Sequence, residues 1–217
     1  LEFRRVLFRS CVVLGSGLLR DVPLGDRAAA FDTVRLVDVV HLWPARLAAR
    51  RHANVELIDM DITGTTDLLL GRASGFADPM GRLARDTTVD LVISANCLSQ
   101  LPLLPEERLA KIGGVAKMRY PDIGRRIVQG HLDGLAKFAG RVCLLTDTEG
   151  VEYDAEGREV ERYDLLEGVP LPAADVEWEW VLAPLGEVAR DREIRHRARG
   201  YVDLTAAMLR DDRNRRT

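Results

Sequence analysis

Short hydrophobic runs alternate with longer amphipathic segments along the first two thirds of the chain. The runs end at glycine, aspartate or serine, as strands buried on both faces of a parallel sheet do. Strands are predicted at residues 11–14, 34–38, 55–58, 89–94 and 141–146. Helices are predicted at residues 18–31, 43–52, 104–116 and 123–138, with a short one near 79–85. This alternation is typical of an α/β fold.

The last third of the chain has a different pattern. Residues 151–166 alternate with period two around the turn 154–157, which predicts a hairpin. Residues 177–182 alternate charged with aromatic side chains, and a final strand is predicted at 194–202. We therefore expect a three-layer α-β-α sandwich with a mostly parallel seven-stranded sheet and an antiparallel C-terminal hairpin strand.

One domain over residues 11–210 is expected, because 217 residues suffice for one substantial core. A polar C-terminal tail is predicted at 211–217. The first ten residues, LEFRRVLFRS, lack an initiating Met and are similar to translated vector sequence. The apolar stretch after them contains glycines and no small-residue cleavage site, which disfavours a signal peptide. If residues 1–10 are vector-derived, we expect the natural protein to extend further upstream.

The charge and hydrophobicity of the chain disfavour two classes of partner, nucleic acids and membranes. With 31 Lys+Arg against 34 Asp+Glu, the overall charge offers no attraction to phosphate, so nucleic acid is disfavoured. The Arg-rich stretch 190–199 also carries Asp191 and Glu193, which is typical of a solvated strand face. No run approaches the ~20 apolar residues of a membrane span.

The three cysteines, Cys11, Cys97 and Cys143, lie far apart in apolar runs. This spacing indicates neither a disulfide framework nor a metal site, and it fits a reduced, cytoplasmic protein.

Three successive predicted strands end in groups suited to a nucleoside cofactor. Gly15 and Gly17 let the backbone turn sharply and approach a ligand. Asp38 ends the second strand, where a carboxylate can accept hydrogen bonds from ribose hydroxyls. Asp61 follows the third strand, where it could accept from an adenine amino group. A dinucleotide fingerprint would need its third glycine at position 20, which is Arg20, and this weakens the case for NAD.

These segments resemble the motifs of class I S-adenosylmethionine-dependent methyltransferases. VVLGSG is similar to their glycine motif, LVDV to their ribose-binding acid, ELIDMDITG to their third motif and DLVISANCLSQLP to their fourth-strand motif. The resemblance covers residues 11–147. It implies that S-adenosylmethionine is held by Gly15, Ser16, Gly17, Asp38, Val39, Asp61, Ile62, Ser94, Ala95 and Asn96.

The chain departs from the family at three places. Val13 stands where many members carry an acid, and Leu19 stands where they carry a third glycine. The Asn/Asp-Pro-Pro-Tyr motif of enzymes that methylate nucleic-acid amino groups is absent, because residues 94–97 are Ser-Ala-Asn-Cys. DNA adenine methylation is therefore disfavoured.

Methyl transfer from a sulfonium needs alignment more than acid–base chemistry, although a base assists a weak nucleophile such as a hydroxyl. The candidate catalytic residues are Asn96, Gln100 and His41, with Ser99 as a further polar contact after the fourth strand. Two others, Tyr120 and Asp147, lie at predicted strand or loop ends.

For the two histidines near predicted helices, structural roles compete with catalytic ones. His41 could instead start a helix or sit in a loop, and His131 is expected at a partly exposed helix position. Trp178 and Trp180 are expected to pack on or cover the sheet.

The sequence thus favours a methyltransferase acting on a small molecule or a protein. An NAD(P)-dependent oxidoreductase and a non-catalytic Rossmann-like binding module remain the alternatives. The methyl acceptor and the oligomeric state are left open.

Overall fold

The computed structural model describes residues 8–113 and 120–214, and its contacts divide the chain into two compact units. The first unit comprises Leu1–Ala95 and His131–Cys143, and the second comprises Asn96–Gly130 and Leu144–Thr217. The single domain over 11–210 and the foreign origin of residues 1–10 stay predictions. Residues 1–7, the end of the predicted helix 104–116 and residues 215–217 lie outside the described residues.

The first unit contains four parallel strands in the order β3-β2-β1-β4. Residues 11–14 of β1 are wholly buried, as a continuous apolar run in a central strand should be. The strands are β1 (Phe8–Leu14), β2 (Phe31–Asp38), β3 (Val55–Asp59) and β4 (Val89–Ala95), and the helices are α1 (Leu24–Ala30), α2 (Trp43–Ala49), α3 (Thr66–Leu69) and α4 (Met80–Ala84).

This strand order creates a switch point. From β1 the chain moves outward through β2 to β3, and then returns to place β4 on the opposite side of β1. A crevice opens at such a reversal, outside the carboxyl ends of the central strands, and it is where open α/β sheets bind ligands. In this unit those ends are Leu14 of β1 and Ala95 of β4.

The second unit contains antiparallel pairs: β5 pairs with β6 and β8, and β8 pairs with β7. Two elements run through both units, namely α6 (Ile123–Leu135) and β5 (Arg141–Tyr153). The other elements are a 3-10 turn at Leu98–Gln100, α5 (Leu103–Ile112), β6 (Glu159–Asp164), β7 (Val176–Ala183), β8 (Glu193–Tyr201) and α7 (Leu204–Asn214).

The α/β class, with parallel strands followed by antiparallel C-terminal strands, is confirmed, and the described residues contain eight strands where seven were expected. The predicted helix 18–31 shortens to α1, because Pro23 precedes its first turn and Phe31 already pairs with Phe8 in the sheet. β1 begins at Phe8, so residues excluded from the fold prediction take part in the sheet. Helix α7 occupies residues 204–214, part of which was predicted as tail.

No helix within residues 8–113 and 120–214 combines the length and the apolar composition that crossing a membrane requires.

Candidate functional site

The loop after β1 turns back on itself through left-handed backbone. Gly15 has φ 68° and Gly17 has φ 48°, conformations that favour glycine over residues with a Cβ. The Gly15 amide donates to the Val37 carbonyl of β2 at 3.0 Å, which fixes the start of the loop. A Cβ placed on Gly17 would find only the Gly15 carbonyl, at 3.9 Å, so the space beside Gly17 is open.

Ser16, between the two glycines, is buried to 3% exposure, and its Oγ has no hydrogen-bond partner among the described residues. A buried hydroxyl without a partner costs free energy, on the order of 1–3 kcal/mol. Ser16 therefore presents an unused donor and acceptor within the loop that the sequence indicated.

A third left-handed residue, Leu19, follows in the same loop with φ 62°. Its amide donates to the Ser16 carbonyl at 2.9 Å, which closes the turn. This is the position at which the resembled glycine motif carries its third glycine. The Leu19 backbone thus adopts a conformation that favours glycine, although the side chain is leucine.

Asp38 is the last residue of β2, and its carboxylate binds the glycine loop. Oδ2 accepts from the Gly17 amide at 2.8 Å and Oδ1 accepts from the Val39 amide at 2.7 Å. Each carboxylate oxygen can accept more than one hydrogen bond, so both keep capacity for a further donor. The structure thus brings together Gly17 and Asp38, which the sequence placed in one site.

Asp61 is bound by its own loop. Oδ1 accepts from the Thr63 amide and hydroxyl, and Oδ2 accepts from the amides of Thr65 and Thr66 and from the Thr66 hydroxyl, at 2.6–3.1 Å. Burial raises its pKa, but the hydrogen bonds from Thr63 and Thr66 outweigh burial and leave the pKa below the usual value. The carboxylate therefore organises residues 61–66, a loop that includes the buried Ile62. Its contact with a nucleobase stays a prediction.

His41 lies in the loop between β2 and α2, as one sequence interpretation expected. It is 2% exposed, and its Nδ1 is 2.7 Å from Asp59 Oδ1. The hydrogen bond from His41 is the main reason that the pKa of Asp59 lies below its usual value. A carboxylate partner holds the proton on Nδ1, which leaves Nε2 as a buried acceptor without a partner among the described residues. Nothing in the sequence indicated this pairing with Asp59.

His131 corrects an expectation. It was predicted at a partly exposed helix position, but it is 2% exposed, and its Nε2 lies 3.0 Å from the Ser94 hydroxyl near the end of β4. Burial lowers the pKa of the imidazole to about 4, because a charged ring would lose its hydration. The apolar face of α6, which carries Ile127, Val128 and Leu132, turns this histidine inward.

Within the second unit, Asn96 has a structural role that its sequence position did not reveal. Its backbone has φ 50°, and its amide donates to the Leu145 carbonyl at 2.9 Å. Its side-chain Oδ1 accepts from the Asp147 amide at 3.2 Å, and its carbonyl accepts from Gln100 Nε2 at 2.9 Å. These hydrogen bonds of Asn96 and Gln100 fix the chain just after β4.

Asp147 is the centre of a polar cluster that the sequence pointed to only in part. Oδ1 accepts from the Trp180 indole N–H at 3.0 Å, and Oδ2 is 2.8 Å from His196 Nδ1. The rings of Trp180 and His196 meet edge to face, with centroids 5.9 Å apart. His196 was missed because its partners are brought together by strand pairing, with Trp180 directly opposite it on β7.

The arginines of β8 pair with glutamates on neighbouring strands. Arg195 lies 3.1 Å from Glu179, Arg197 lies 3.2 Å from Glu149, and Arg199 lies 2.8 Å from Glu177. Their charges are compensated within the sheet, which fits the solvated strand face that the sequence indicated.

Within the described part of the chain, no group of three or more His, Cys, Asp or Glu side chains is placed to hold a metal ion.

No family model and no curated protein matches this chain. Among solved structures, it is similar to the 1,6-didemethyltoxoflavin-N1-methyltransferase of Burkholderia thailandensis, crystallised with 1,6-didemethyltoxoflavin and S-adenosylhomocysteine, with TM-score 0.38 and 14% identity over 90% of this chain and 72% of that one. It is also similar to a SAM-dependent methyltransferase from Methanosarcina mazei, with TM-score 0.37 and 10% identity over 92% of this chain and 96% of that one.

Proposed function

We propose that this chain is an S-adenosylmethionine-dependent methyltransferase whose cofactor site lies in the first unit. The observation that carries the proposal is the hydrogen bond between Asp38 Oδ2 and the Gly17 amide. It joins the acid at the end of β2 to the glycine loop after β1, beside the switch point between β1 and β4. A nucleoside with a free ribose diol is the ligand that this arrangement suits.

The residues present fit such a cofactor. Asp38 retains acceptor capacity for the ribose hydroxyls, and the space beside Gly17 is open for close approach. Ser16 Oγ would gain the partner that it lacks. The residues of the first unit proposed to hold the cofactor are Gly15, Ser16, Gly17, Asp38, Val39, Asp61, Ile62, Ser94 and Ala95.

The loop geometry favours this cofactor over a dinucleotide. A dinucleotide fingerprint needs glycine at position 20, where this chain has an exposed arginine. The left-handed residue is instead Leu19, which matches the glycine spacing of the methyltransferase motif. The proposal therefore rests on backbone conformation as well as on residue identity.

When bound, the cofactor supplies an electrophilic methyl group on sulfur. The chain's own part is to bind the nucleoside, to orient it through Asp38, and to hold an acceptor in line. We propose a small molecule or an accessible protein group as that acceptor, and the cytoplasm as the compartment.

Calorimetry of the full chain with S-adenosylhomocysteine and, separately, with NADH tests the proposal. We expect saturable binding of S-adenosylhomocysteine with one site per chain and no binding of NADH. Binding of NADH alone would identify a nucleotide-dependent oxidoreductase instead. Binding of neither ligand would favour the non-catalytic module.

A further inference from the structure

The second unit contains a cavity lined only by its own residues. The volume of this cavity is about 470 Å³, and small-molecule sites typically have about 300–1,000 Å³. Strands β5, β6 and β8 supply charged groups to the lining, namely Glu149, Arg162 and Arg199. The segment 166–171, which follows β6, supplies apolar side chains. A lining that is partly apolar and partly charged suits an amphipathic ligand.

The apolar lining belongs to a segment that is fixed at both ends. At its start, Asp164 Oδ1 accepts from the Leu166 amide at 2.8 Å, and Oδ2 accepts from the Gly168 amide at 2.5 Å. At its end, the Tyr201 hydroxyl of β8 donates to the Pro172 carbonyl at 2.8 Å. Because these hydrogen bonds already hold the segment, a ligand would bind with little further ordering of the chain.

Of the two arginines in the lining, Arg162 is committed to the protein. Its Nε and Nη2 donate to the two carboxylate oxygens of Glu159, at 2.9 and 2.7 Å. Its Nη1 donates to Glu149 Oε2 at 2.7 Å. All three nitrogens of this guanidinium are therefore used, and we assign Arg162 a structural role in the lining.

Arg199, in contrast, keeps donors for a ligand. Glu177 contacts only its Nε, at 2.8 Å, and the Glu177 side chain is 59% exposed, so water screens this ion pair. Arg199 also lies beside Tyr201: burial raises the pKa of that phenol, and the charge and hydrogen bond of Arg199 oppose the rise. A guanidinium carries more N–H donors than these two contacts use.

We propose that this cavity binds a small organic acid. The carboxylate would lie on the terminal nitrogens of Arg199, because a planar carboxylate matches the donors of a guanidinium. The apolar or aromatic body of the acid would pack against Leu166, Val169 and Leu171. The inference does not depend on the proposed function, because every residue involved lies in the second unit.

The charges around the cavity favour an acid over an amine. Both oxygens of Asp164 already accept from backbone amides. Glu149 Oε2 accepts from Arg162 at 2.7 Å and from Arg197 at 3.2 Å. These carboxylates are thus compensated within the protein, whereas Arg199 has donors in reserve. A carboxylate ligand would supply the acceptor that those donors lack, and an ammonium ligand would have to compete with the arginines.

Nuclear magnetic resonance of the isotopically labelled full chain tests the proposal. The probes are phenylacetate, cyclohexanecarboxylate and hexanoate, each paired with its primary amide, which keeps the shape and removes the charge. We expect at least one acid to give saturable shifts at the backbone amides of Leu166, Val169 and Leu171, with a millimolar dissociation constant or a lower one. The matching amide should bind about tenfold more weakly or worse, because its hydrogen bond to Arg199 is no longer charge-assisted.

Arg199→Met removes the proposed carboxylate partner. It should weaken binding of the acid about tenfold and make the acid and its amide bind alike. Arg195→Met is the matched control, because Arg195 lies on the same strand and also pairs with a β7 glutamate, Glu179 at 3.1 Å, but does not line the cavity. The control should keep the wild-type affinity for the acid. Thermal melts show whether each variant is folded.

Leu171→Trp tests the cavity without changing its charge. The larger side chain should fill the space and abolish the shifts, while Arg199 is retained. If Arg199→Met fails to fold, this variant decides, and an unchanged affinity would overturn the proposal.

Three further outcomes would also overturn the proposal. The first is the absence of saturable shifts at the cavity residues with every acid. The second is equal binding of the acids and their amides by the wild type. The third is an equal loss of affinity in Arg195→Met and Arg199→Met, which would indicate a general effect of charge on the strand.

Discussion

The Ser94 hydroxyl and the His131 ring form a fully buried polar pair, with Oγ 3.0 Å from Nε2 and exposures of 0% and 2%. Neither partner is charged, so the pair is accommodated in the core only while the imidazole is neutral. Burial accordingly lowers the pKa of His131 to about 4, because a charged ring would lose its hydration in the core. Folding and protonation are therefore linked at this residue.

The stability of the chain should fall as the pH is lowered from about 6.5 toward 4. The unfolded imidazole takes up a proton in that window and the folded one does not, so acid favours the unfolded state. Between pH 7 and pH 5, the contribution is about 2 kcal/mol. Between pH 7 and pH 5, the free energy of unfolding measured by urea denaturation should fall less for His131→Gln than for the wild type. His52→Gln is the histidine control and should keep the pH dependence of the wild type. If His131→Gln also kept that pH dependence, protonation of His131 would not be linked to folding.

Asp38→Asn should weaken binding of S-adenosylhomocysteine. The carboxylate holds the Gly17 amide and is proposed to accept from the ribose, so its loss should cost about 1–3 kcal/mol, measured as a change in dissociation constant by calorimetry. Asp32→Asn, at an exposed position near the start of the same strand, should leave the affinity unchanged. An equal affinity for the wild type and Asp38→Asn would remove Asp38 from the site.

Leu19→Gly should be more stable than Leu19→Ala. Both variants lose the packing of the leucine against the core that includes Val13 and Val34. Only glycine adopts φ 62° without steric cost, so we expect the glycine variant to be ahead by about 1 kcal/mol in free energy of unfolding. The reverse order, measured by urea denaturation, would show that the loop relaxes away from the left-handed conformation.

Gly140→Ala should destabilise the protein while Gly130→Ala should not. A Cβ at Gly140 would overlap the Val89 carbonyl and the backbone of Asp90, and backbone cannot move aside cheaply. We expect a loss of about 1–3 kcal/mol. Gly130 lies on an exposed turn of α6, and a Cβ there would have nothing within 4 Å. Alanine at this position should therefore raise the free energy of unfolding by about 0.5–1 kcal/mol, because its helix propensity is higher. Thermal melts of the two variants side by side make the comparison.

The parallel half of the fold could be predicted because its signals are local. Each buried strand is a continuous apolar run, and the glycine loop and Asp38 are adjacent to strands that the β-α-β pattern predicts to be parallel. The predicted ends of helices and strands were less accurate where helix propensity competes with strand pairing. The predicted helix 18–31 included residue 31, but β2 begins there, because Phe31 and Thr33 pair with β1.

The partners of the polar groups could not be predicted, because they depend on contacts distant in sequence. Asp147 and His196 were brought together by the register of two antiparallel strands, which no local pattern encodes. His131 was expected nearer the surface, since a single histidine in a helix carries no sign of the face it occupies. The sequence also did not show that Asp61 accepts hydrogen bonds from the three threonines that follow it, and its contact with a cofactor stays a prediction.

The glutamates of β7 have a consequence for how the protein behaves in a crowded solution. β7 is the last strand in the order of the second unit, so one of its edges offers unpaired backbone groups. Glu177 and Glu179 stand on that strand, and the arginines with which they pair lie on β8, away from that edge. A second copy arriving edge to edge would meet like charges beside exposed tryptophans, which discourages fibre-like stacking. Acid or high salt would weaken that protection first.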